Sequence, residues 1–285
     1  MENNLIRQFE EVKAKKAGAF ERFLEEIQRR VFSFSSKVCS NAEDAKDALQ
    51  ETLTTAFRSL PEADFADEKA LNVWLYKVAK NACLMMRRKG KYEPERELSL
   101  DEFLPAERGL QSDWSEVPEQ EALRKETREK IRQAVKALPS KHRMVLVLRD
   151  MEERSTSETA EILGISELNV KTRLHRARLF LRRELEDYFL GNKKKPAVQV
   201  GSRPLLCREA FEHLSEFIDG ELDPDTCRCV QDHIQDCKPC VAFLRTLQKS
   251  VHFCKQAGTG AAPALEAREK KQLEAILLAW LNREA

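Results

Sequence analysis

Glycine is scarce, at nine among 285 residues. Runs in which Val, Ile and Thr alternate with polar side chains are few. Both shortages argue against strands and for helices. No apolar run approaches the roughly 20 residues needed to cross a bilayer. The opening MENNLIRQFEEVKAKKAG has no apolar core of the kind a secretory signal carries, so the chain is expected to be cytoplasmic and to have no membrane partner. There is no phosphate-cradling loop, no dinucleotide fingerprint and no catalytic constellation, so an enzyme is not expected. An excess of one charge is missing too: 49 Lys and Arg against 48 Asp and Glu leave a net charge of +1.

The distribution of charge says more than its sum. Residues 77–91 hold six Lys or Arg and no acid, and residues 171–183 hold another six and no acid. Residues 92–120 hold nine Asp or Glu against two Arg, and residues 205–240 hold nine against three Lys or Arg. Two basic blocks alternating with two acidic ones point to a nucleic-acid binder that carries its own acidic counterparts.

Apolar spacing predicts an all-α chain. Phe20, Phe23, Leu24 and Ile27 mark one helix, Ala45, Ala48, Leu49, Leu53 and Phe57 a second, and Trp74, Leu75, Val78, Ala79 and Ala82 a third. These elements make residues 1–91 one helical domain. Residues 92–121, acidic and punctuated by Pro94, Pro105 and Pro118, read as a linker. Residues 122–190 are helical again, 191–204 form a second linker, 205–256 a small Cys- and His-rich domain, and 257–285 a last linker and helix. In that helix Leu273, Ile276, Leu277, Trp280 and Leu281 recur at steps of three and four, an apolar face that needs a partner.

The segment STSETAEILGISELNVKTRLHRARLFLRREL (155–185) has the pattern of a helix-turn-helix. Ser155 and Glu158 can form a capping box. Ala160 is small where two helices cross, and Gly164 suits the left-handed conformation of a tight turn. Ser166 can cap the second helix, and Val170 and Leu174 point to the core. A recognition helix reads bases from its first turns and pairs its cations with phosphates. That makes Ser166, Asn169, Lys171, Thr172, Arg173, His175, Arg176 and Arg178 the DNA-binding candidates.

With these residues in view, ALPSKHRMVLVLRDMEERSTSETAEILGISELNVKTRLHRARLFLRREL resembles region 4 of the extracytoplasmic-function (ECF) RNA polymerase sigma factors. NAEDAKDALQETLTTAFRSL resembles region 2.2 of the same group, and ALNVWLYKVAKNACLMMRRKGKY resembles regions 2.3 and 2.4. The resemblance covers roughly residues 15–190. It departs from the family pattern at Met85, Thr159, Leu168 and Asn169. It implies a helical region 2 domain in 1–91 and a region 4 domain in 122–190. It further implies that Asp44, Asp47, Gln50 and Glu51 dock on the β′ clamp helices of core RNA polymerase, that region 4 meets the β flap, and that promoter DNA is bound at its −10 and −35 elements. Trp74, Lys77, Lys80 and Asn81 would lie at the opened −10 element, with Arg87, Arg88 and Lys89 on phosphates. The rival reading is a helix-turn-helix regulator that binds duplex DNA without polymerase.

Eight cysteines in a reducing compartment point to metal or redox chemistry. His233-x3-Cys237-x2-Cys240 places three donors on one tetrahedral ion, and Cys207 can supply the fourth. The ion expected is zinc or another thiophilic metal. The segment from Cys207 to Cys240, with its Asp219-Gly220-Glu221-Leu222 turn, resembles the zinc-binding anti-sigma domain. That implies a metal- or redox-responsive regulatory module fused in cis, touching regions 2 and 4; the alternative is a sigma factor whose zinc site is purely structural. Cys227 and Cys229 either bind a second ion, form a redox switch, or are two exposed thiols. Cys39 and Cys83 read as small core residues.

Overall fold

The computed structural model describes residues 5–39, 41–60, 63–89, 98–100, 103, 114–118, 121, 124–190, 205–257 and 262–281. Every regular element among them is helical, as expected of an all-α chain. Two compact units emerge: residues 1–94, 157–164 and 259–285 in one, and residues 95–156 and 165–258 in the other. The linker 191–204 lies outside the described residues, as does most of 92–121.

The first unit holds α1 (Leu5–Lys13), α2 (Ala19–Val38), α3 (Ala42–Ser59) and α4 (Glu68–Lys89). From Ser157 onward it also takes in α7 (Thr156–Leu163), and it ends with α12 (Ala267–Leu281). Gly18, at φ 66°, lets the chain reverse into α2. Asn41 caps α3 by accepting a hydrogen bond from the Asp44 amide at 2.8 Å. The core is aromatic: Phe9 stacks on Phe23 at 5.4 Å, and Phe57 meets Phe23 edge-on at 6.1 Å. Ala45, Ala48, Leu49 and Leu53 are buried on α3, so its opposite face, with Asp47, Gln50 and Glu51, is exposed. Glu26 is buried beside Arg29 and Arg30; burial works against its charge, but the two guanidinium groups hold its pKa below the ordinary carboxylate value.

The second unit holds α5 (Lys125–Ala137) and α6 (Ser140–Leu146), which runs into a π-helical turn at Val147–Met151. It continues with α8 (Glu167–Leu190), α9 (Leu205–Asp219), α10 (Pro224–Asp236) and α11 (Lys238–Gln256). Helix α8 is its axis, with α5, α6, α9 and α11 all packed on it. Asp223 caps α10 by accepting from the amides of Asp225 and Thr226, and Pro224 supplies the first helical residue. Trp114, from the acidic stretch expected to be a linker, is 2% exposed and lies against Phe189 and Phe253.

Candidate metal centre and nucleic-acid surfaces

The four expected metal donors converge. Cys207 is on α9, His233 on α10, Cys237 at the junction of α10 and α11, and Cys240 in the first turn of α11. Their ligating atoms all lie within 4.8 Å of one another. The Sγ atoms of Cys207 and Cys237 are 3.9 Å apart, and His233 Nε2 is 3.2 Å from Cys240 Sγ. Two thiolates on one tetrahedral zinc stand about 3.8 Å apart, given Zn–S bonds near 2.3 Å, so the donor set fits such an ion. Burial, then the neighbouring Cys237 and Cys207, push the Cys240 thiol well above its usual range. A cation would reverse that balance. Cys227 is half-buried and Cys229 exposed, and neither belongs to the cluster. Cys39 and Cys83 are buried as expected, with their sulfurs 3.2 Å apart.

Helix α8 begins after a turn in which Gly164 takes φ 68° and the Asn169 amide donates to Ser166 Oγ at 3.3 Å. Both features agree with the spacing of a helix-turn-helix. The candidate DNA residues then separate by face. Ser166, Asn169 and Thr172 are exposed, and Arg173 and Arg176 are half-buried. Lys171, His175, Arg178 and Arg182, at steps of four, three and four, lie under the Cys-rich domain. Lys171 Nζ donates to Glu216 at 2.7 Å, and that bond raises its pKa. His175 Nδ1 is 2.8 Å from Ser215 Oγ, and its ring meets Phe211 edge-on. Burial, then the nearby arginines, lower the His175 pKa to about 3, so the ring is neutral. Arg178 is 1% exposed and pairs with Asp150 of the π turn at 2.6 Å and with Asp219 of the Cys-rich domain at 2.8 Å. Its guanidinium is therefore engaged by carboxylates rather than presented outward, unlike the outward face expected from sequence. Arg182 donates to Thr246 at 2.7 Å and covers the Phe243 ring at 4.0 Å.

Sequence reasoning passed over Arg149 and Thr156. Arg149 pairs with Glu221 at 2.8 Å and Asp219 at 3.2 Å, and Thr156 Oγ1 donates to Glu221 at 2.8 Å. Gly220, at φ 67°, turns the chain so that the two carboxylates flank one cation.

In the first unit, α12 lies along α3. Leu273 and Leu277 are buried, as the apolar spacing of the last helix requires. Glu269 bonds Gln50, and Pro263 offers its carbonyl to Gln28. Asp47, Gln50 and Glu51 thus line a groove together with Leu265, Glu269 and Leu273, while Asp44 sits at the cap of α3. The side chains of Trp280 and Leu281 lie outside the described residues. On α4, Trp74 is half-buried with its ring 5.4 Å from Phe65. Lys77 pairs with Glu161 at 2.8 Å, and Lys80 donates to the Ile162 carbonyl at 3.0 Å. Burial, then the proximity of Lys77, lower the Lys80 pKa. Asn81 is exposed and Arg87 half-buried; the side chains of Arg88 and Lys89 lie outside the described residues. Among the described residues no helix is long and apolar enough to cross a membrane.

Three known families match parts of the chain. The Sigma-70 region 2 family matches residues 23–92, the Sigma-70 region 4 family residues 128–181, and a zinc-finger family residues 207–240. The ECF RNA polymerase sigma factor SigW of Bacillus subtilis is 30% identical over 189 residues, which is 66% of this chain and 100% of SigW. The RNA polymerase sigma factor YlaC of the same organism is 34% identical over 158 residues, 55% of this chain and 86% of YlaC. ECF sigma factor SigM of Mycobacterium tuberculosis is 31% identical over 167 residues, 59% and 77% of the two chains.

Proposed function

Because the chain belongs to the ECF RNA polymerase sigma factors, we propose that it directs core polymerase to promoters and that its zinc-binding C-terminal helices restrain it in cis. The observation that supports this reading is that in each unit a helix of the tail packs on a helix expected to bind a partner. In one unit α12 lies on α3, beside Gln50 and Glu51. In the other, α9 and α11 lie on α8, over Lys171 and His175.

In the active molecule the polar face of α3 (Asp44, Asp47, Gln50, Glu51) meets the β′ clamp helices. Trp74 and Asn81 serve the opened −10 strand, with Lys77, Lys80 and the basic end of α4 on its backbone; an unstacked base needs an aromatic platform, and a backbone needs cations. Region 4 meets the β flap and offers the early turns of α8, Asn169 and Thr172 included, to the −35 element. In the restrained molecule the tail lies beside part of these surfaces, with α12 against α3 at Gln50 and α9 against α8 at Lys171 and His175, while Asn169 and Thr172 stay exposed. A tether raises the effective concentration of the tail, so contacts too weak to hold a separate protein suffice.

Cys207, His233, Cys237 and Cys240 are the residues that would hold zinc. The ion, when bound, ties the start of α9 to the α10–α11 junction and leaves no open position for catalysis. Cys207 thereby anchors the helix whose far end carries Ser215, Glu216 and Asp219 onto α8. A ligand shifts such an equilibrium only by its preference for one state, so loss of the ion, or modification of its thiolates, favours release of the tail if zinc is held tighter in the restrained form.

The test is promoter-directed transcription with core polymerase, comparing the full chain with one ending at residue 203, each with zinc and with chelator. Transcription by the shorter chain that ignores chelator, with full-chain transcription that responds to it, supports regulation in cis. Equal transcription by both under every condition rejects regulation, and no transcription by either rejects the sigma activity.

A further inference from the structure

The carboxylate of Glu221 is the meeting point of three side chains from three successive segments. Arg149 comes from the π turn, Thr156 opens α7, and Lys171 lies in the second turn of α8. Arg149 Nη2 reaches Glu221 Oε1 at 2.8 Å, and Thr156 Oγ1 lies 2.8 and 2.9 Å from its two oxygens. Lys171 Nζ stands 4.0 Å from Oε2 while bonded to Glu216. The fork of Arg149 is aimed by a second bond, from Nη1 to the Arg154 carbonyl at 2.9 Å.

The source of the counter-charge separates these groups from their neighbours. Arg178 keeps a carboxylate of its own segment, Asp150, whatever the tail does. The carboxylates that Arg149 and Lys171 pair with, Asp219, Glu221 and Glu216, all belong to the tail. Arg149 has a side chain only 12% exposed and Thr156 is 6% exposed. A partly buried guanidinium stripped of its carboxylates is costly, so a released tail leaves a site that calls for another anion. Like a phosphodiester, a carboxylate spreads one negative charge over two terminal oxygens, and a planar arginine fork with a hydroxyl beside it suits either.

We infer that Arg149, Thr156 and Lys171 form a backbone-phosphate site of the helix-turn-helix, and that Glu221 occupies this site in the restrained molecule as a stand-in for a nucleic-acid phosphate. The inference rests on reading residues 122–190 as a DNA-binding segment. The tail then does more than shield α8: it competes for the cations that position the duplex, and phosphate contacts set register without reading sequence.

A phosphate site acts on DNA of any sequence, so the probe is a fluorescent duplex of about 30 base pairs and arbitrary sequence, titrated with the full chain at several salt concentrations. Glu221→Gln is expected to bind this duplex about tenfold more tightly than the unaltered chain. Adding Arg149→Gln should abolish that gain and reduce the slope of log affinity against log salt by about one, the effect of losing one phosphate contact. Thr156→Val, which keeps the buried shape and removes the hydroxyl, should cost about threefold in the Glu221→Gln background and gives the answer if Arg149→Gln does not fold, as judged by its melting curve. Equal affinity of Glu221→Gln and the unaltered chain overturns the competition. Unchanged affinity and salt slope on adding either second substitution overturns the phosphate site. Capture of the full chain by core polymerase, run in parallel, tests the sigma reading separately, because its failure leaves the duplex titration standing.

Discussion

Arg178 and His175 differ in what holds them, and the difference sets two measurable properties. Arg178 donates from Nε and Nη2 to both oxygens of Asp150, at 2.9 and 2.6 Å, where both side chains are at most 2% exposed. Burial opposes its charge, and the Asp150 and Asp219 carboxylates outweigh that opposition and raise its pKa. Asp150→Ala would leave a buried cation half-paired, and we expect a loss of about 3 kcal/mol in urea unfolding. Asp219→Ala should cost less, since Asp150 remains. His175 is neutral because charging it would bury an unpaired cation beside Arg178 and Arg176. Its folded pKa of about 3 lies below the ordinary value of 6.5, so the unfolded chain takes up a proton first. The stabilisation is complete above pH 6.5 and is lost as pH falls from there toward 3. Stability should drop by about 2 kcal/mol between pH 7 and pH 5 from this group alone. His175→Gln, which keeps a hydrogen bond to Ser215, should flatten that part of the profile; an unchanged slope would mean that His175 is not the group responsible.

Among the elements, α8 and α12 each carry a face whose partner the sequence leaves unnamed. The apolar spacing of α12 demands a surface to bury Leu273 and Leu277, and α3 supplies it. Leu277→Asp places a charge where the side chain is 2% exposed and should detach the helix. Capture by core polymerase should then rise several-fold, and tryptic cleavage at Lys270 and Lys271 should quicken. Faster cleavage without greater capture would show that α12 does not guard the polymerase-binding face. The π turn is the local irregularity that matters most. Its wide bond, Glu152 N to Val147 O at 2.9 Å, closes a turn from which Asp150 pairs with Arg178 in the core while Arg149 pairs with Glu221 of the tail. No spacing rule foretells this, because a π turn interrupts a helical stretch without any sequence signal such as Pro or Gly.

For the whole molecule, the metal cluster and the tail's grip on α8 should act as one. Elemental analysis should find one zinc per chain. Chelation should lower the melting midpoint of the unaltered chain and leave that of Cys237→Ser, already unable to complete the ligand set, nearly where it was. Three of the four converging donors were legible in the sequence, because His233, Cys237 and Cys240 sit within eight residues and a spacing that short survives any packing of the rest, whereas the packing of α9 on α10 brings Cys207 to them. The Gly164 turn and the Ser166 cap were legible in the same way. Trp114 was not legible. It stands in an acidic, proline-bearing stretch with no periodicity, and only its burial against Phe189 and Phe253 shows that part of the expected linker belongs to the second unit.

The sequence alone thus determined the helical class, the blocks of charge, the family resemblance and the cluster of His233, Cys237 and Cys240. The helical periodicity and that cluster are written in spacings of a few residues, where backbone geometry leaves little choice. Tertiary structure decided what each charge faces. Arg178 and Asp219 are 41 residues apart, and Gln50 and Glu269 are 219 apart. An arginine on an amphipathic helix has the same local pattern whether a phosphate or a carboxylate waits for it. The choice between them is made by the folded chain, which brings an acidic tail over a basic helix and a hydroxyl and a guanidinium to the two oxygens of one glutamate.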